Sequence, residues 1–117
     1  MFLVKKAHLR TSGSYPSGYA AIGWLWEQIF SEISPKYSDK ALVRGWEKGE
    51  CRLICNVHWQ SDVDAGRTMG AATFARLHAN LEFMKAMKVA KSEIASVRSA
   101  GLKSSKDCEA EIQSLTN

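Results

Sequence analysis

The amino-acid sequence predicts an all-α fold, a helical bundle of about four main helices. Apolar residues recur at steps of three and four over several long segments, which is the period of a helix with one buried face. No segment alternates apolar and polar residues with the β-branched enrichment that is typical of a strand. The chain has 117 residues, of which 45% are hydrophobic, so one globular domain is expected.

The first eighteen residues are predicted to form a loop leader, because their end, Ser12 to Gly18, is rich in Ser, Gly and Pro. A first helix is predicted over 19–33, where one wide apolar face runs along the segment. Ser34-Pro35 ends it, since proline lacks the amide donor and disfavours helix in the residue before it. The face comprises Ile22, Leu25, Trp26, Ile29, Phe30 and Ile33.

A second helix is predicted to follow, with Ser38 as its N-cap. Gly45 and Gly49 leave two interpretations open. Each glycine weakens a helix by about 1 kcal/mol relative to alanine, or the pair marks a close helix contact. The core candidates of this helix are Ala41, Leu42, Trp46, Leu53 and Ile54.

Two further helices are predicted over 59–78 and 81–98, and a flexible tail over 101–117. Small residues in the third helix, at 66 and 70–72, would let another helix approach closely. Met84 and Met87 are interpreted as core residues of the fourth helix. The predicted apolar faces are Val63, Gly66, Gly70, Phe74 and Leu77 in the third helix, and Phe83, Met87, Ala90, Ile94 and Val97 in the fourth.

Composition excludes several classes of protein. Sixteen Lys and Arg against twelve Asp and Glu give a net charge of +4, too mild to predict a nucleic-acid partner. The longest nearly apolar stretch, 20–26, is far shorter than the ~20 residues of a membrane span. The opening Met-Phe-Leu-Val-Lys-Lys lacks the ~7–15 apolar residues of a signal peptide, so no export signal is expected.

Most of the remaining candidate groups have structural or surface interpretations. Three cysteines form no disulfide or metal framework, and Cys51 and Cys55 are expected to be half-buried small hydrophobes. His8 and His78 are expected at the surface rather than as metal ligands. The lysines at 85, 88, 91 and 103 are expected to form a solvated face.

Two patches place polar residues where a plain bundle would not. Tyr15-Pro16-Ser17-Gly18-Tyr19 is a turn that leads into the first helix, so Ser17 is either an ordinary N-cap, the favoured interpretation, or part of an anion site.

The second patch surrounds His58 and Asp62, which share a face if their segment is helical. The carboxylate can then hold one imidazole nitrogen and leave the other as nucleophile or base, with Arg52 nearby for a phosphate. From the residues alone, a purely structural pair is favoured.

These two patches together resemble a known family. Tyr-Pro-Ser-Gly, followed by Arg-x5-His-Trp-Gln-Ser-Asp, is similar to the bacterial class A non-specific acid phosphatases. That family lies in the superfamily of phosphatidic-acid-phosphatase-type enzymes and vanadium haloperoxidases. Its pattern is Lys-x6-Arg-Pro, Pro-Ser-Gly-His and Ser-Arg-x5-His-x3-Asp. The similarity extends from residue 13 to about 95.

The resemblance implies a hydrolase acting on phosphomonoesters, without metal or cofactor, in the periplasm. By position, His58 matches the nucleophile that forms a phosphohistidine, and Asp62 matches the carboxylate that orients it. Arg52 matches a phosphate-binding arginine, while Ser17 and Gly18 match the loop that binds phosphate oxygens. The implied ligands are a phosphomonoester substrate and inorganic phosphate.

Three departures from the family's pattern predict impaired activity. Tyr19 stands where the family has the histidine that protonates the leaving oxygen, and a phenol is a poor acid in mildly acidic solution. Cys51 replaces a serine, and no Arg-Pro follows Lys5 or Lys6 at the required spacing. The alternative is a catalytically inactive fragment that acts in phosphate binding or protein interaction.

The resemblance also implies that 1–117 is a truncated domain, equivalent to the C-terminal half of the family's. Trp24, Trp26 and the Gly66/Gly70 face are then expected to lack their helical partners. Exposed apolar surface and a possible homo-oligomer follow from that expectation.

Overall fold

The computed structural model describes residues 11–116, and no strand occurs among them. From Gly18 onward it contains five α-helices and one 3₁₀ turn, so the predicted all-α fold is confirmed. The helices are α1 (Gly18–Ile33), α2 (Ser38–Ile54), α3 (Gln60–Leu77), α4 (Leu81–Ser99) and α5 (Cys108–Thr116), with the 3₁₀ turn at Pro35–Tyr37.

The centre of the fold is the contact between α1 and α3. At Gly70 a Cβ would lie 2.5 Å from the carbonyl oxygen of Ala21, and at Gly66 it would meet the carbonyl oxygen of Ser17 even more closely. Only glycine fits at such distances from backbone, which confirms the predicted close approach. Ala20 and Val63 are fully buried in this contact. The expectation that the Gly66/Gly70 face lacks a partner is therefore wrong, because α1 covers it.

Glycines also carry the packing of α2, which settles the two open interpretations in favour of close contact. A Cβ at Gly45 would lie 2.8 Å from the Cβ of Glu27, and one at Gly49 would lie 2.9 Å from Cγ1 of Val63. These two glycines are the buried residues of α2. The large apolar candidates lie elsewhere: Trp46 is 50% exposed and Ile54 is 81% exposed, so assigning them to the core was wrong.

The predicted N-cap of α2 was wrong by one residue. The helix begins at Ser38 itself, and Tyr37 is the N-cap, with no side-chain capping bond. The physical reason is the 3₁₀ turn after Pro35, in which the Tyr37 N–H donates to the carbonyl of Ser34 (2.9 Å). That turn brings the chain into helical geometry before Ser38.

Arg67 fastens α3 to α2. Its guanidinium donates to the carbonyl of Trp46 (2.7 Å) and to the carboxylate of Glu50 (2.7 Å). The same group lies over the Trp46 ring at 3.6 Å from the centroid, a cation–π contact. Because the Arg67 side chain is almost completely buried, these bonds offset part of the cost of taking its charge out of water, and its Nε has no hydrogen-bond partner among the described residues.

The last two helices pack less tightly. Met87 is buried as predicted, whereas Met84 is exposed, so its assignment to the core was wrong. The helix α5 forms within the tail that was expected to be irregular, and Arg44 of α2 pairs with Glu111 there. The flexibility of that tail stays a prediction. None of the helices in the described part of the chain is long and apolar enough to cross a membrane.

One face of α1 carries large exposed apolar side chains. Trp26 is 53% exposed, and Ile22 and Phe30 on the same face are exposed as well. Trp24 is half-buried and packs edge-on against Trp46, with ring centroids 6.0 Å apart. Trp26 is exposed as expected, whereas Trp24 is only partly exposed. Self-association through this surface stays a prediction.

Candidate active site

The N-terminus of α1 is tied directly to the first turn of α3. Ser17 is fully buried, and its backbone N–H donates to the carbonyl oxygen of Asp62 (2.9 Å). The Ser17 side chain is the N-cap of α1 and accepts the N–H of Ala20 (3.3 Å). Ser17 therefore has the ordinary capping role that was favoured, while Gly18, the first residue of α1, is exposed beside it.

His58 and Asp62 meet at the start of α3. They do not share a helical face as the sequence suggested, because the helix begins at Gln60 and the backbone of Trp59 before it is extended. The distance from His58 Nδ1 to Asp62 Oδ2 is 3.3 Å, and the backbone N–H of Trp59 donates to the same oxygen (2.9 Å). The side chains of His58 and Asp62 are both largely buried. An acidic residue in the first turn of a helix interacts favourably with the helix dipole. The local sequence thus places the carboxylate, and the carboxylate orients the ring.

A third side chain joins this pair from the loop before α1. Ser14 Oγ lies 2.5 Å from Asp62 Oδ2 and 3.3 Å from His58 Nδ1. The sequence did not single out Ser14, because Ser12 to Gly18 was interpreted as a loop in which only Ser17 and Gly18 were matched to phosphate binding. No local signal links it to residues 44 and 48 positions later; the contact exists because the loop rests on α3.

The Asp62 carboxylate is stabilised in its charged form. The hydrogen bond from Ser14 lowers the pKa of Asp62 most, followed by the Trp59 N–H, and the contact with His58 acts in the same direction. Burial opposes them by raising the pKa, but the net shift is downward. Asp62 is consequently an anion in mildly acidic solution and able to balance positive charge on His58.

Arg52 and Tyr19 form a second contact near the end of α2. The guanidinium carbon of Arg52 lies 5.2 Å from the centroid of the Tyr19 ring, a cation–π contact. The Arg52 Nε is buried and has no hydrogen-bond partner among the described residues. A guanidinium presents a planar set of donors that matches the oxygens of a phosphate. Tyr19 itself is exposed.

The structure thus brings the predicted site residues into two contacts. His58 and Asp62 are joined at the start of α3, and the backbone of Ser17 is bonded to Asp62. Arg52 and Tyr19 are joined to each other.

Several curated proteins named as acid phosphatases are similar to this chain. The chain is 50% identical over 90 residues to a non-specific acid phosphatase of Providencia stuartii, a match that covers 77% of the chain and 36% of the relative. It is 48% identical over 86 residues to a non-specific acid phosphatase of Salmonella typhimurium, covering 74% and 34%. An acid phosphatase of Zymomonas mobilis is 38% identical over 92 residues, covering 79% and 35%. The homologues of this chain are acid phosphatases.

The chain spans about a third of the length of these relatives. No model of a protein family matches it.

The exposure of the cysteines and of His78 differs from what the sequence predicted. Cys51 and Cys55 are exposed rather than half-buried, because they lie at the end of α2 beyond its buried glycines. His78 is not a plain surface residue: it is half-buried and bonded to Glu32 (2.7 Å). The four lysines are exposed as expected. His8, Lys5 and Lys6 lie outside the described residues, as does the leader before residue 11.

Proposed function

We propose that this chain is part of a non-specific acid phosphatase and carries the histidine that attacks phosphomonoesters. The observation that carries the proposal is the orientation of His58. Its Nδ1 faces both Asp62 Oδ2 and Ser14 Oγ, so Nε2 is the nitrogen that remains to act as nucleophile. The acid phosphatase homologues support the same chemistry.

The proposed reaction has two steps. The lone pair of His58 Nε2 attacks phosphorus, so that a P–N bond forms as the P–O bond to the leaving group breaks. Asp62 balances the charge of the phosphorylated imidazole, and the leaving oxygen takes a proton from water. A second water molecule then cleaves the P–N bond, which releases inorganic phosphate and restores His58. Group transfer of this kind depends mainly on positioning and charge neutralisation.

The phosphate oxygens need donors, and three groups are suited to supply them. The buried, unpartnered Nε of Arg52 belongs to a planar cation that pairs well with phosphate. The exposed Gly18 is at the N-terminus of α1, where backbone N–H groups and the helix dipole favour an anion. The Ser17 hydroxyl, which accepts from Ala20, still has a proton to donate.

Tyr19 is proposed to make this reaction slow. It stands where the resembling family has a histidine, and its ring packs against Arg52. Without a histidine acid, the leaving group must depart with little help, which favours substrates such as aryl phosphates. The same feature favours the second candidate, a site that binds phosphate without turnover. A periplasmic location is proposed from the resemblance alone.

The test is hydrolysis of p-nitrophenyl phosphate in mildly acidic solution by the purified chain, beside His58→Ala. His78→Gln is the matched control, since it removes the other half-buried histidine that pairs with a carboxylate. We expect turnover in the wild type and the control and none in His58→Ala. Equal activity in all three proteins, or no activity in any, contradicts the proposed reaction. In the second case, a rise in melting temperature with added phosphate would support the binding role instead.

A further inference from the structure

We propose that Ser14 is a positioning residue of this site: its hydroxyl fixes the tautomer of His58 in which Nδ1 carries the proton and Nε2 the lone pair. Its value for catalysis rests on the proposed function. The tautomer itself can be measured whether or not the chain turns over substrate.

The direction of each hydrogen bond follows from the donors and acceptors present. A hydroxyl has one proton to donate and lone pairs with which to accept. The shortest contact of Ser14 Oγ, 2.5 Å, is to Asp62 Oδ2, and an ionised carboxylate can only accept. The Ser14 proton is therefore directed at Asp62. The lone pairs of Ser14 Oγ are then left to accept a hydrogen bond from His58 Nδ1, which lies 3.3 Å away.

His58 Nδ1 thus has acceptors on both sides. Asp62 Oδ2 and Ser14 Oγ each lie 3.3 Å from it, and neither has a proton to offer. A neutral imidazole carries its single proton on one nitrogen, and the hydrogen bonds that the ring makes decide which one. Two acceptors at Nδ1 require the N–H there, shared between them. Nε2 is then unprotonated, as a nucleophile must be.

This arrangement differs from a serine-nucleophile triad. In such a triad the serine and the carboxylate contact opposite nitrogens of the imidazole, so that the ring can take the serine proton. Here Ser14 and Asp62 contact the same nitrogen. His58 Nε2 faces neither of them, so Ser14 acts through His58 and is not the attacking group.

The loop brings Ser14 to α3 by backbone bonds independent of its own side chain. Three residues later in the same loop, the Ser17 N–H donates to the carbonyl of Asp62 (2.9 Å). The carbonyl of Ser17 in turn lies against Gly66, where a Cβ would not fit. Removing the Ser14 hydroxyl therefore leaves the loop attached, so Ser14→Ala tests the hydroxyl and not the fold.

The first measurement is the ¹⁵N spectrum of the histidine rings in the folded protein, at a pH where His58 is neutral. The chain has three histidines, so the His58 signals are assigned with the His58→Gln variant. We expect the Nδ1–H tautomer to predominate in the wild type. In Ser14→Ala, the ratio of Nδ1–H to Nε2–H falls roughly three- to tenfold, the scale of one lost hydrogen bond. Ser14→Thr retains the hydroxyl and the wild-type ratio.

The control is Ser12→Ala, an exposed serine of the same segment, which leaves the ratio unchanged. A wild type in which Nε2–H predominates overturns the proposal, even if Ser14→Ala does not fold. So does an unchanged ratio in a folded Ser14→Ala. Where the wild type turns over p-nitrophenyl phosphate, Ser14→Ala lowers kcat roughly tenfold and leaves KM unaltered, because Ser14 acts on His58 rather than on phosphate. Loss of activity in His58→Ala tests the proposed function separately from these ratios.

Discussion

Each end of α3 holds a histidine beside a carboxylate, yet the two rings are bound differently. At the start of the helix, His58 uses Nδ1 for both Asp62 and Ser14. At the end, His78 uses both nitrogens: Nδ1 contacts the carbonyl of Phe74 (2.8 Å) and Nε2 contacts Glu32 (2.7 Å). Nε2 of His58 makes no hydrogen bond to any described residue, whereas both ring nitrogens of His78 are bonded.

The surroundings of His78 show what a structural histidine needs. Its ring packs edge-on against Phe74 and Phe83, with centroids 4.6 and 5.7 Å away. The hydrogen bond to the Phe74 carbonyl raises the pKa of His78 most, followed by the bond to Glu32. Burial alone would raise the pKa of Glu32, but His78 and Lys91 outweigh it and lower that pKa. Both shifts favour the charged pair, which joins α1 to α3.

The comparison teaches that spacing alone does not identify a reactive histidine. His58 and Asp62 are four residues apart at the junction where the chain enters α3, while His78 and Glu32 are 46 apart and joined by tertiary contact. The two histidines differ in how many of their ring nitrogens are hydrogen-bonded to the protein: one in His58 and two in His78. A catalytic ring needs one nitrogen fixed and one available.

The largest expected difference between the two ends comes from replacing each carboxylate by its amide. Asp62→Asn lowers turnover of p-nitrophenyl phosphate roughly 10³–10⁴-fold, the scale for a catalytic histidine held in the wrong tautomer. Glu32→Gln leaves kcat within about twofold and lowers the melting temperature instead. Steady-state kinetics and thermal denaturation of both variants check this. Similar losses of kcat in the two variants would contradict the proposed difference between the two histidines.

The next effect concerns the leaving group at the His58 end. Tyr19→His raises turnover of alkyl phosphates by about 10²-fold, because a histidine there can protonate the leaving oxygen. The gain is smaller with p-nitrophenyl phosphate, whose leaving group needs no proton. Kinetics with both substrates measure the ratio. An equal gain with both would mean that Tyr19 acts on Arg52, with which it is stacked, rather than on proton transfer.

A smaller effect is expected from filling the contact that holds the loop against α3. Gly66→Ala places a Cβ against the carbonyl of Ser17 and lowers the free energy of unfolding by about 1–3 kcal/mol. The same change moves Ser14 away from His58, so turnover falls while the His78 ring signals stay in place. Gly13→Ala is the control, since among the described residues no atom beyond its chain neighbours lies within 4 Å of the added Cβ. Chemical denaturation gives the energies, and equal stability of both variants would contradict the packing argument.

The smallest effect is the pH dependence of stability at the His78 end. A raised pKa of His78 stabilises the fold below its ordinary value of 6.5 and loses that effect as pH rises through the folded value. A lowered pKa of Glu32 stabilises above its ordinary value of 4.5 and loses that effect as pH falls through the folded value. The melting temperature of the wild type should thus exceed that of His78→Gln by a few degrees between these two values. A difference that is constant across pH would show that the charged pair does not form.

Residue spacing was enough to predict the helices and to select the residues of the candidate site. The three-and-four spacing of apolar residues predicts α1 to α4, and Pro35 predicts where α1 ends, because these signals are local properties of the backbone. The interpretation of Gly66 and Gly70 as a close contact is confirmed for the same reason: small residues on one helix face leave room only for another backbone. His58 and Asp62 were predicted to meet on one helical face, and they do lie in contact, but through the extended residue Trp59 that precedes α3 rather than through a helical turn.

Contacts between residues far apart in the sequence became visible only in the folded structure. Trp46 and Ile54 have the spacing of core residues, but Gly45 and Gly49 take the buried face of α2, because α1 and α3 approach there too closely for larger side chains. His78 becomes structural through Glu32, which no local pattern links to it. Ser14 reaches His58 only because the loop before α1 is bonded to α3 through Ser17. Contacts between residues more than 40 positions apart depend on how helices pack, which residue spacing does not encode.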